Sequence, residues 1–347
     1  MRSFQHIVNS LRRGEGVTDD ELVLLLEGSC ESDAYLTSQA REVCDGVYGR
    51  EVYLRGLIEI SSYCKNDCYY CGIRRSNKSA QRYRLTPDER VGTARAGYAA
   101  GFRTFVLQGG EDPYFTDEVV EEVVRRIKDD CAGCAVTLSL GERSRESYAR
   151  LKAAGADRYL LRHETACEKH YEKLHPESMK LTERMDCLRS LKDLGYQTGC
   201  GFMVGSPYQT LENVVSDLRF IESFRPHMVG IGPFIPHRDT PFRDKGAGSV
   251  PLTVRCLAIV RLMLPRVLLP ATTALGSVGT GGRVMGLLAG GNVVMPNLSP
   301  PQVREKYSLY DGKVSAGAES AEGIAALRRE LEGAGFKLSF EVGHSKM

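Results

Sequence analysis

Short apolar, often β-branched runs alternate with longer amphipathic segments from about residue 53 onward. The amphipathic segments carry helix punctuation: Thr86-Pro87-Asp88-Glu89 supplies an N-cap, an N1 proline and a capping-box glutamate. Helix-ending glycines recur at Gly101, Gly155 and Gly195, each directly before an apolar run. The apolar runs predict eight strands, at 53–60, 104–108, 135–140, 158–162, 197–203, 228–234, 269–273 and 292–295.

This strand–helix alternation predicts an α/β fold with a parallel sheet. Eight units closing on themselves give a (β/α)8 TIM barrel, predicted over residues 51–300. An open doubly wound sheet is the alternative, although eight units are many for it. Residues 1–50 predict an N-terminal helical extension, with a capping box at Thr18 and Glu21. Residues 301–347 predict a C-terminal helical segment that closes the barrel, ending in a tail around His344 that we expect to be poorly ordered.

Composition narrows the function classes. The chain has 347 residues, a hydrophobic content of 42% and a net charge of +2, which predicts neither a nucleic-acid nor a membrane partner. No apolar run reaches the roughly 18 residues of a spanning helix. Eleven cysteines without a signal peptide indicate a reducing compartment, so we predict a cytoplasmic location.

Three of these cysteines, Cys64, Cys68 and Cys71, have the spacing C-x3-C-x2-C just after the first predicted strand. Thiolates select zinc, copper(I) or iron–sulfur clusters. A structural zinc site needs four protein ligands, and neither Cys nor His follows nearby to complete one. A [4Fe–4S] cluster normally takes four cysteines, so three leave one iron open for an exchangeable ligand.

Polar residues recur where the barrel lumen is expected. Alternation along the fourth predicted strand places Arg158, Leu160, Arg162 and Glu164 on one face. Because unpaired charges inside a barrel are costly, we interpret this face as a polar lumen that holds an anionic or polar ligand. The alternative is that the arginines face the surrounding helices or bridge to each other. Strand parity, or a position at the end of a strand, marks five further candidates for this polar lumen: Arg55, Thr137, Ser139, Thr272 and Thr273.

The cysteine spacing resembles that of the radical S-adenosylmethionine (SAM) superfamily. The resemblance implies one [4Fe–4S] cluster whose open iron is chelated by SAM, which is cleaved to methionine and a 5′-deoxyadenosyl radical. It also implies that Tyr70 lies against the adenine. Gln108-Gly109-Gly110-Glu111, after the second strand, resembles the motif that holds the methionyl amino group.

The blocks SSYCKNDCYYCGIRRSN, LQGGEDPY, TLSLGE, GADRYLLRHETA, VGIGPFIPHRDTP and LPATTALGS resemble the HydE family of [FeFe]-hydrogenase maturases over about 50–310. In that family the radical acts on a cysteine-ligated iron carbonyl–cyanide precursor. Expected partners are a low-potential electron donor of the flavodoxin or ferredoxin type and the other hydrogenase maturases. Ser139, Glu164 and Arg184 are implied SAM contacts, and we add Thr137 and Met203. The implied substrate-cavity residues are Arg55, Arg158, Arg162, Thr272, Thr273, Tyr307 and Tyr310.

Several alternatives stay open. Many members carry a second cluster on C-terminal cysteines, but here no cysteine follows Cys256, so we predict a single cluster. A mutase resembling methylornithine synthase, sulfur insertion of the biotin-synthase kind, and a non-enzymatic iron–sulfur carrier or zinc protein are the rival functions. Cys131 and Cys134 are expected on the opposite face of the barrel. The basic run from Arg74 to Arg84 is either a solvated loop or a docking site for an acidic electron donor.

Overall fold

Parallel strands form the centre of the molecule in a computed structural model that describes residues 2–278, 281–314 and 316–347. Six of the described strands pair in the order β2-β3-β4-β5-β6-β8, and two smaller sheets have the orders β10-β1-β11 and β7-β9. The strands are β1 Glu51–Leu54, β2 Gly56–Ser61, β3 Thr104–Gly109, β4 Ala135–Ser139, β5 Arg158–Leu160, β6 Gln197–Cys200, β7 Met203–Val204, β8 Met228–Val229, β9 Gly232–Pro233, β10 Val293–Val294 and β11 Lys337–Ser339.

Isolated parallel bridges complete the ring. Met228 pairs with Leu268, and Pro270 pairs with Val293, so residues 268–270 connect β8 to β10. β10 then pairs with β1, which continues into β2. The predicted α/β barrel is therefore confirmed, and the open doubly wound sheet is not what forms.

Helices cover the outside of this ring. Capping boxes occur at Thr18 and Thr86, as predicted, and Gly101, Gly155 and Gly195 end helices with positive φ. The described helices are α1 Phe4–Arg12, α2 Asp19–Glu27, α3 Cys30–Tyr48, α4 Pro87–Ala99, α5 Asp117–Asp130, α6 Arg145–Ala153, α7 Glu168–Leu174, α8 Leu181–Asp193, α9 Leu211–Phe224, α10 Val250–Met263, α11 Thr273–Val278, α12 Gly282–Leu288, α13 Pro301–Arg304 and α14 Ile324–Gly333, with 3-10 turns at Gly317–Glu319 and Ala321–Gly323.

The helices that precede the barrel, α1, α2 and α3, pack on α9 and α10. Their apolar residues, such as Ile7, Leu22 and Leu36, join the same buried core as the barrel strands. Among the described residues, no helix combines the length and apolar character that crossing a bilayer requires.

Two predicted strands are wrong in detail. The first is interrupted at Arg55, because β1 pairs with β10 and β11 whereas β2 pairs with β3. In place of the strand predicted at 269–273, the structure has only the isolated bridges of Leu268 and Pro270, and α11 already begins at Thr273. Pro270 explains this, since proline has no N–H to donate to a ladder.

The C-terminal segment is not purely helical, and its tail is not disordered. β11 adds to the sheet beside β1, pairing Lys337 with Glu51. Beyond it the chain packs against the barrel: Arg158 Nη2 donates to the carbonyls of Val342 at 3.0 Å and Gly343 at 3.2 Å, and lies 3.0 Å from His344 Nδ1. The guanidinium of Arg158 thus holds the tail in a fixed position. The polar composition of the tail gives no sign of this contact.

Candidate functional site

A cavity of about 270 Å³ opens at the carboxyl ends of the barrel strands. This is the end at which barrels place their functional loops. Most of the predicted site residues line it, namely Cys64, Cys68, Tyr70, Cys71, Gln108, Gly109, Gly110, Glu111, Ser139, Arg162, Glu164, Arg184, Met203, Thr272, Tyr307 and Tyr310.

The three thiols of the predicted cluster site lie together in the loop after β2. Arg82 fixes this loop by donating to the carbonyls of Ile73 at 2.8 Å and Arg74 at 2.7 Å, among others. Burial raises the pKa of Cys64 and Cys68, and that of Cys71 to about 12. Neighbouring thiols add to the shifts of Cys68 and Cys71, and the Glu111 carboxylate adds to that of Cys64, because like charges repel. The site therefore favours deprotonation only when a cation binds there.

The donor set of three thiols on one cavity wall suits an iron–sulfur group. Across the described residues, no three Cys, His, Asp or Glu side chains converge as they would on one ion. In a cubane each thiolate ligates a different iron, so the sulfurs lie farther apart than around one ion. The bare Gly110 lies against the loop, where an added Cβ would meet the Tyr63 carbonyl oxygen at 2.2 Å and Cys64 Cβ at 2.7 Å. Three soft donors on one cavity wall would thus hold a [4Fe–4S] group and leave one iron without a protein ligand.

Tyr70 is held in place by a histidine that the sequence analysis missed. Its hydroxyl lies 3.2 Å from His175 Nε2, while His175 Nδ1 lies 3.0 Å from the Tyr171 carbonyl oxygen. Because a carbonyl only accepts, Nδ1 carries the proton and Nε2 accepts from Tyr70. Burial lowers the pKa of His175 to about 3, so the ring is neutral at pH 7. No sequence signal marks this residue, since it lies in an irregular loop after α7.

Two carboxylates share one buried guanidinium on the next part of the wall. Arg184 Nε lies 2.5 Å from Glu142 Oε1, and Arg184 Nη2 lies 3.9 Å from Glu111 Oε1. Burial raises the pKa of Glu142. Gly141, at φ +77°, leaves room for Glu111, whose Cγ would lie 1.9 Å from an added Cβ. The excess carboxylate here suits a ligand with a cationic group. Glu142 was missed, although the quoted block TLSLGE ends on it.

A second ion pair lies at the end of β5. Arg162 Nη2 is 3.1 Å from Glu164 Oε2, and both residues line the cavity as alternation predicts. Glu164 has a positive φ of 65°, unusual for a non-glycine residue and often found at functional sites. Among the described residues, Arg162 Nε has no hydrogen-bond partner, so the guanidinium keeps donors free for a ligand.

Four predicted site residues lie elsewhere, so the structure does not bring the whole predicted set together. Arg55 and Arg158 lie at the opposite, amino-terminal ends of β2 and β5. Arg55 Nη1 is 2.8 Å from Met228 Sδ, and Arg158 binds the tail instead of a helix or Arg162. Thr137 is buried and pairs in register with Arg158, and Thr273 Oγ1 donates to Glu319 Oε2 at 3.2 Å.

Comparison with known proteins places this geometry in a family. Residues 58–221 match the model of the radical SAM superfamily. The [FeFe] hydrogenase maturase subunit HydE of Thermotoga maritima is 46% identical over 307 residues, 88% of this chain and 87% of that protein. The 3-methylornithine synthase of Methanosarcina barkeri is 32% identical, over 96% of this chain and 94% of that one.

Solved structures agree. The crystal structure of a methylornithine synthase superposes with a TM-score of 0.83 at 30% identity, covering 96% of this chain and 97% of that one. The maturase HydG of Carboxydothermus hydrogenoformans superposes with a TM-score of 0.80 at 23% identity, covering 97% and 79%, which supports the fold alone. A non-enzymatic carrier or zinc protein is thereby set aside. The chain is a radical SAM enzyme and belongs to the family that contains the [FeFe]-hydrogenase maturase HydE.

Proposed function

We propose that this enzyme acts in [FeFe]-hydrogenase maturation, on a cysteine-ligated iron carbonyl–cyanide precursor. The observation that supports this most is the combination of 46% identity to HydE over 88% of the chain with a cavity that joins the cysteine triplet to Arg162. The family cofactors are one [4Fe–4S] cluster and SAM. When bound, they supply a 5′-deoxyadenosyl radical by reductive cleavage of SAM.

The residues of the chain divide into two groups in this proposal. Cys64, Cys68 and Cys71 hold the cluster. The residues that position SAM are Glu111, Ser139, Glu164 and Arg184. Tyr70, Gln108, Gly109, Gly110 and Met203 complete the cavity wall. Thr137 lies outside the cavity, two residues before Ser139 on β4.

The substrate end is formed by Arg162, Thr272, Tyr307 and Tyr310, all on the same cavity. Arg162 is suited to a cysteinyl carboxylate because a guanidinium binds it through two parallel hydrogen bonds. Burial raises the pKa of Tyr307 and Tyr310, so both stay neutral and act as hydrogen-bond donors or acceptors. Arg55, Arg158 and Thr273, which lie outside this cavity, act only indirectly in the proposal. We further propose a cytoplasmic location, with other hydrogenase maturases and a flavodoxin- or ferredoxin-type donor as partners.

A mutase like 3-methylornithine synthase is the second candidate. A specific observation favours it: the TM-score of 0.83 to a solved methylornithine synthase, over 96% of this chain. Two activity assays separate the two functions. The maturase should support activation of apo-hydrogenase together with the other maturases, whereas the mutase should release 3-methylornithine.

The cluster assignment has a direct test. Cys68→Ala should lose bound iron after anaerobic reconstitution and stop forming 5′-deoxyadenosine, while circular dichroism shows a folded barrel. The matched control is Cys131→Ala/Cys134→Ala, whose thiols are buried between α5 and β4 at the other end of the barrel. The control and the wild type should both reach about one cubane per chain. Retained iron and retained SAM cleavage in Cys68→Ala contradict the assignment.

A further inference from the structure

The outer side of the cysteine loop carries an exposed surface that the proposed reaction does not use. We call it the Tyr63 surface; its residues are Tyr63, Lys65, Arg75, Lys78, Arg84 and Tyr114. Tyr63 is 37% exposed and Tyr114 48%. The Arg84 guanidinium carbon lies 3.8 Å from the Tyr63 ring centre and 5.1 Å from that of Tyr114. Exposed tyrosines stacked on arginine are typical of protein interfaces and their energetic centres.

This surface carries a net positive charge. Residues 63–84 contain six cationic residues and a single carboxylate, Asp67. Asp67 is already bound by Arg74 at 2.7 Å. Asp112, whose side chain is buried, is bound by Arg84 at 2.6 Å. Arg75 and Lys78 are exposed, and within the part of the chain that the structure describes neither forms an ion pair.

The nearest exposed carboxylates along the chain do not cancel this charge. Asp88 pairs with Arg126 at 2.6 Å, and Glu89 accepts from the Thr86 backbone N–H at 2.7 Å as part of the helix cap. Lys65 lies 3.4 Å from Glu111, so the uncompensated positive charge of the Tyr63 surface is carried by Arg75 and Lys78. These two exposed cations favour an acidic partner.

The Tyr63 surface also lies next to the cysteines that are proposed to hold the cluster. Tyr63 directly precedes Cys64, which is itself partly exposed. The basic segment lies against the same loop, because the Arg75 backbone N–H donates to the Asn66 carbonyl at 2.9 Å. The open mouth of the barrel is a less direct route, since Gly72 is covered by the segment around Leu309, whose carbonyl accepts from the Gly72 N–H at 2.9 Å.

We infer that the Tyr63 surface docks an acidic one-electron carrier protein next to Cys64. This rests on the proposed function, which needs one electron for each SAM cleaved. In the docked complex the carrier is oxidised by one electron, the iron–sulfur group held by the chain is reduced by one, and no atom is transferred. Tyr63 and Arg84 form the centre of the contact, while Arg75 and Lys78 attract the carrier.

The test uses reconstituted holoenzyme and an acidic flavodoxin as the probe. The variant is Arg75→Glu/Lys78→Glu, which breaks no ion pair of the fold. The matched control is Arg328→Glu/Arg329→Glu, which changes two exposed cations on α14 that form no ion pair within the described residues. Calorimetry gives the Kd for oxidised flavodoxin at low and high salt. 5′-Deoxyadenosine formation is measured with flavodoxin hydroquinone and, separately, with dithionite.

We expect the variant to bind flavodoxin at least about tenfold more weakly at low salt, with the difference shrinking as salt screens the charges. Its flavodoxin-driven turnover should fall while its dithionite-driven turnover matches the wild type. Unchanged binding in the variant, or equal weakening in the control, overturns the inference. If the wild type forms no 5′-deoxyadenosine with either reductant, the proposed function fails instead, and the binding data still decide the surface.

Discussion

Lys313 Nζ contacts Glu59 Oε1 inside the barrel, so a buried ion pair ties the segment after α13 to β2. Glu59 is fully buried and also accepts from Asn297 Nδ2 at 2.8 Å. Lys313 donates in addition to the Tyr307 carbonyl at 3.0 Å. We call residues 304–313 the strap; it brings Tyr307 and Tyr310 onto the cavity, and the ion pair fixes their position.

Lys313→Met should destabilise the protein, because the buried Glu59 carboxyl group then loses the cation that compensates it. Breaking a buried pair from one side costs about 3–5 kcal/mol. Urea unfolding measures this, with Lys306→Met on the same strap as the control, which should stay within about 0.5 kcal/mol of the wild type. Glu59→Gln/Lys313→Met should recover part of the loss. Equal effects of Lys313→Met and Lys306→Met would show that the pair does not hold the strap.

Gly110→Ala should displace the cysteine loop, because the added Cβ would meet the Tyr63 backbone at 2.2 Å. Contacts below 3.0 Å to backbone force a shift, so iron content and SAM affinity should both fall. Gly92→Ala on α4 is the matched control, since nothing lies within 4 Å of its added Cβ. It should gain about 0.5–1 kcal/mol of stability and keep full iron. Normal iron content and SAM affinity in Gly110→Ala would mean that the loop tolerates the shift.

His175 should make stability depend on pH. Its pKa is lowered to about 3 by burial, whereas in the unfolded chain it is near 6.5. The unfolded chain therefore binds a proton below pH 6.5 that the folded chain refuses, and stability falls as pH falls from 6.5 toward 3. Between pH 7 and 5 the wild type should lose about 2 kcal/mol more than His175→Gln. Parallel pH profiles of the two proteins in chemical denaturation would refute this.

Arg162→Ala should separate the two ends of the cavity. Loss of a charge-assisted hydrogen bond costs about 1.5–3 kcal/mol, so binding of a cysteinyl carboxylate should weaken roughly tenfold to a hundredfold. SAM affinity should change little. Calorimetry with L-cysteine and with SAM measures both, and Arg162→Lys should fall between Ala and wild type because it keeps the charge without the planar fork. A collapse of SAM affinity alone would reverse the assignment.

Local signals made the barrel and most of the cavity wall predictable. Capping boxes and helix-ending glycines are local patterns of a few neighbouring residues, so the sequence shows them directly. Because the strand ends converge in any parallel barrel, Cys64, Gly110, Ser139 and Arg162 could be placed together from the sequence. Depth along the lumen could not be predicted in the same way. Strand parity assigns Arg158 and Arg162 to one face, but four residues of a strand separate the bottom of the barrel from its top.

Long-range partners account for the other misses. His175 contacts Tyr70, and Glu142 contacts Arg184. The partners are distant in sequence, so no local pattern predicts either contact. The strand predicted at 269–273 fails for a local reason that was visible, namely Pro270.

The binding of Arg158 by Val342, Gly343 and His344 has a practical consequence for handling the protein. These residues fill the amino-terminal opening of the barrel, and Lys346 Nζ donates to the Val47 carbonyl at 2.6 Å just outside it. Deleting residues 342–346 would remove this plug and expose the buried guanidinium of Arg158 to water. A shortened version of the protein should therefore keep these residues.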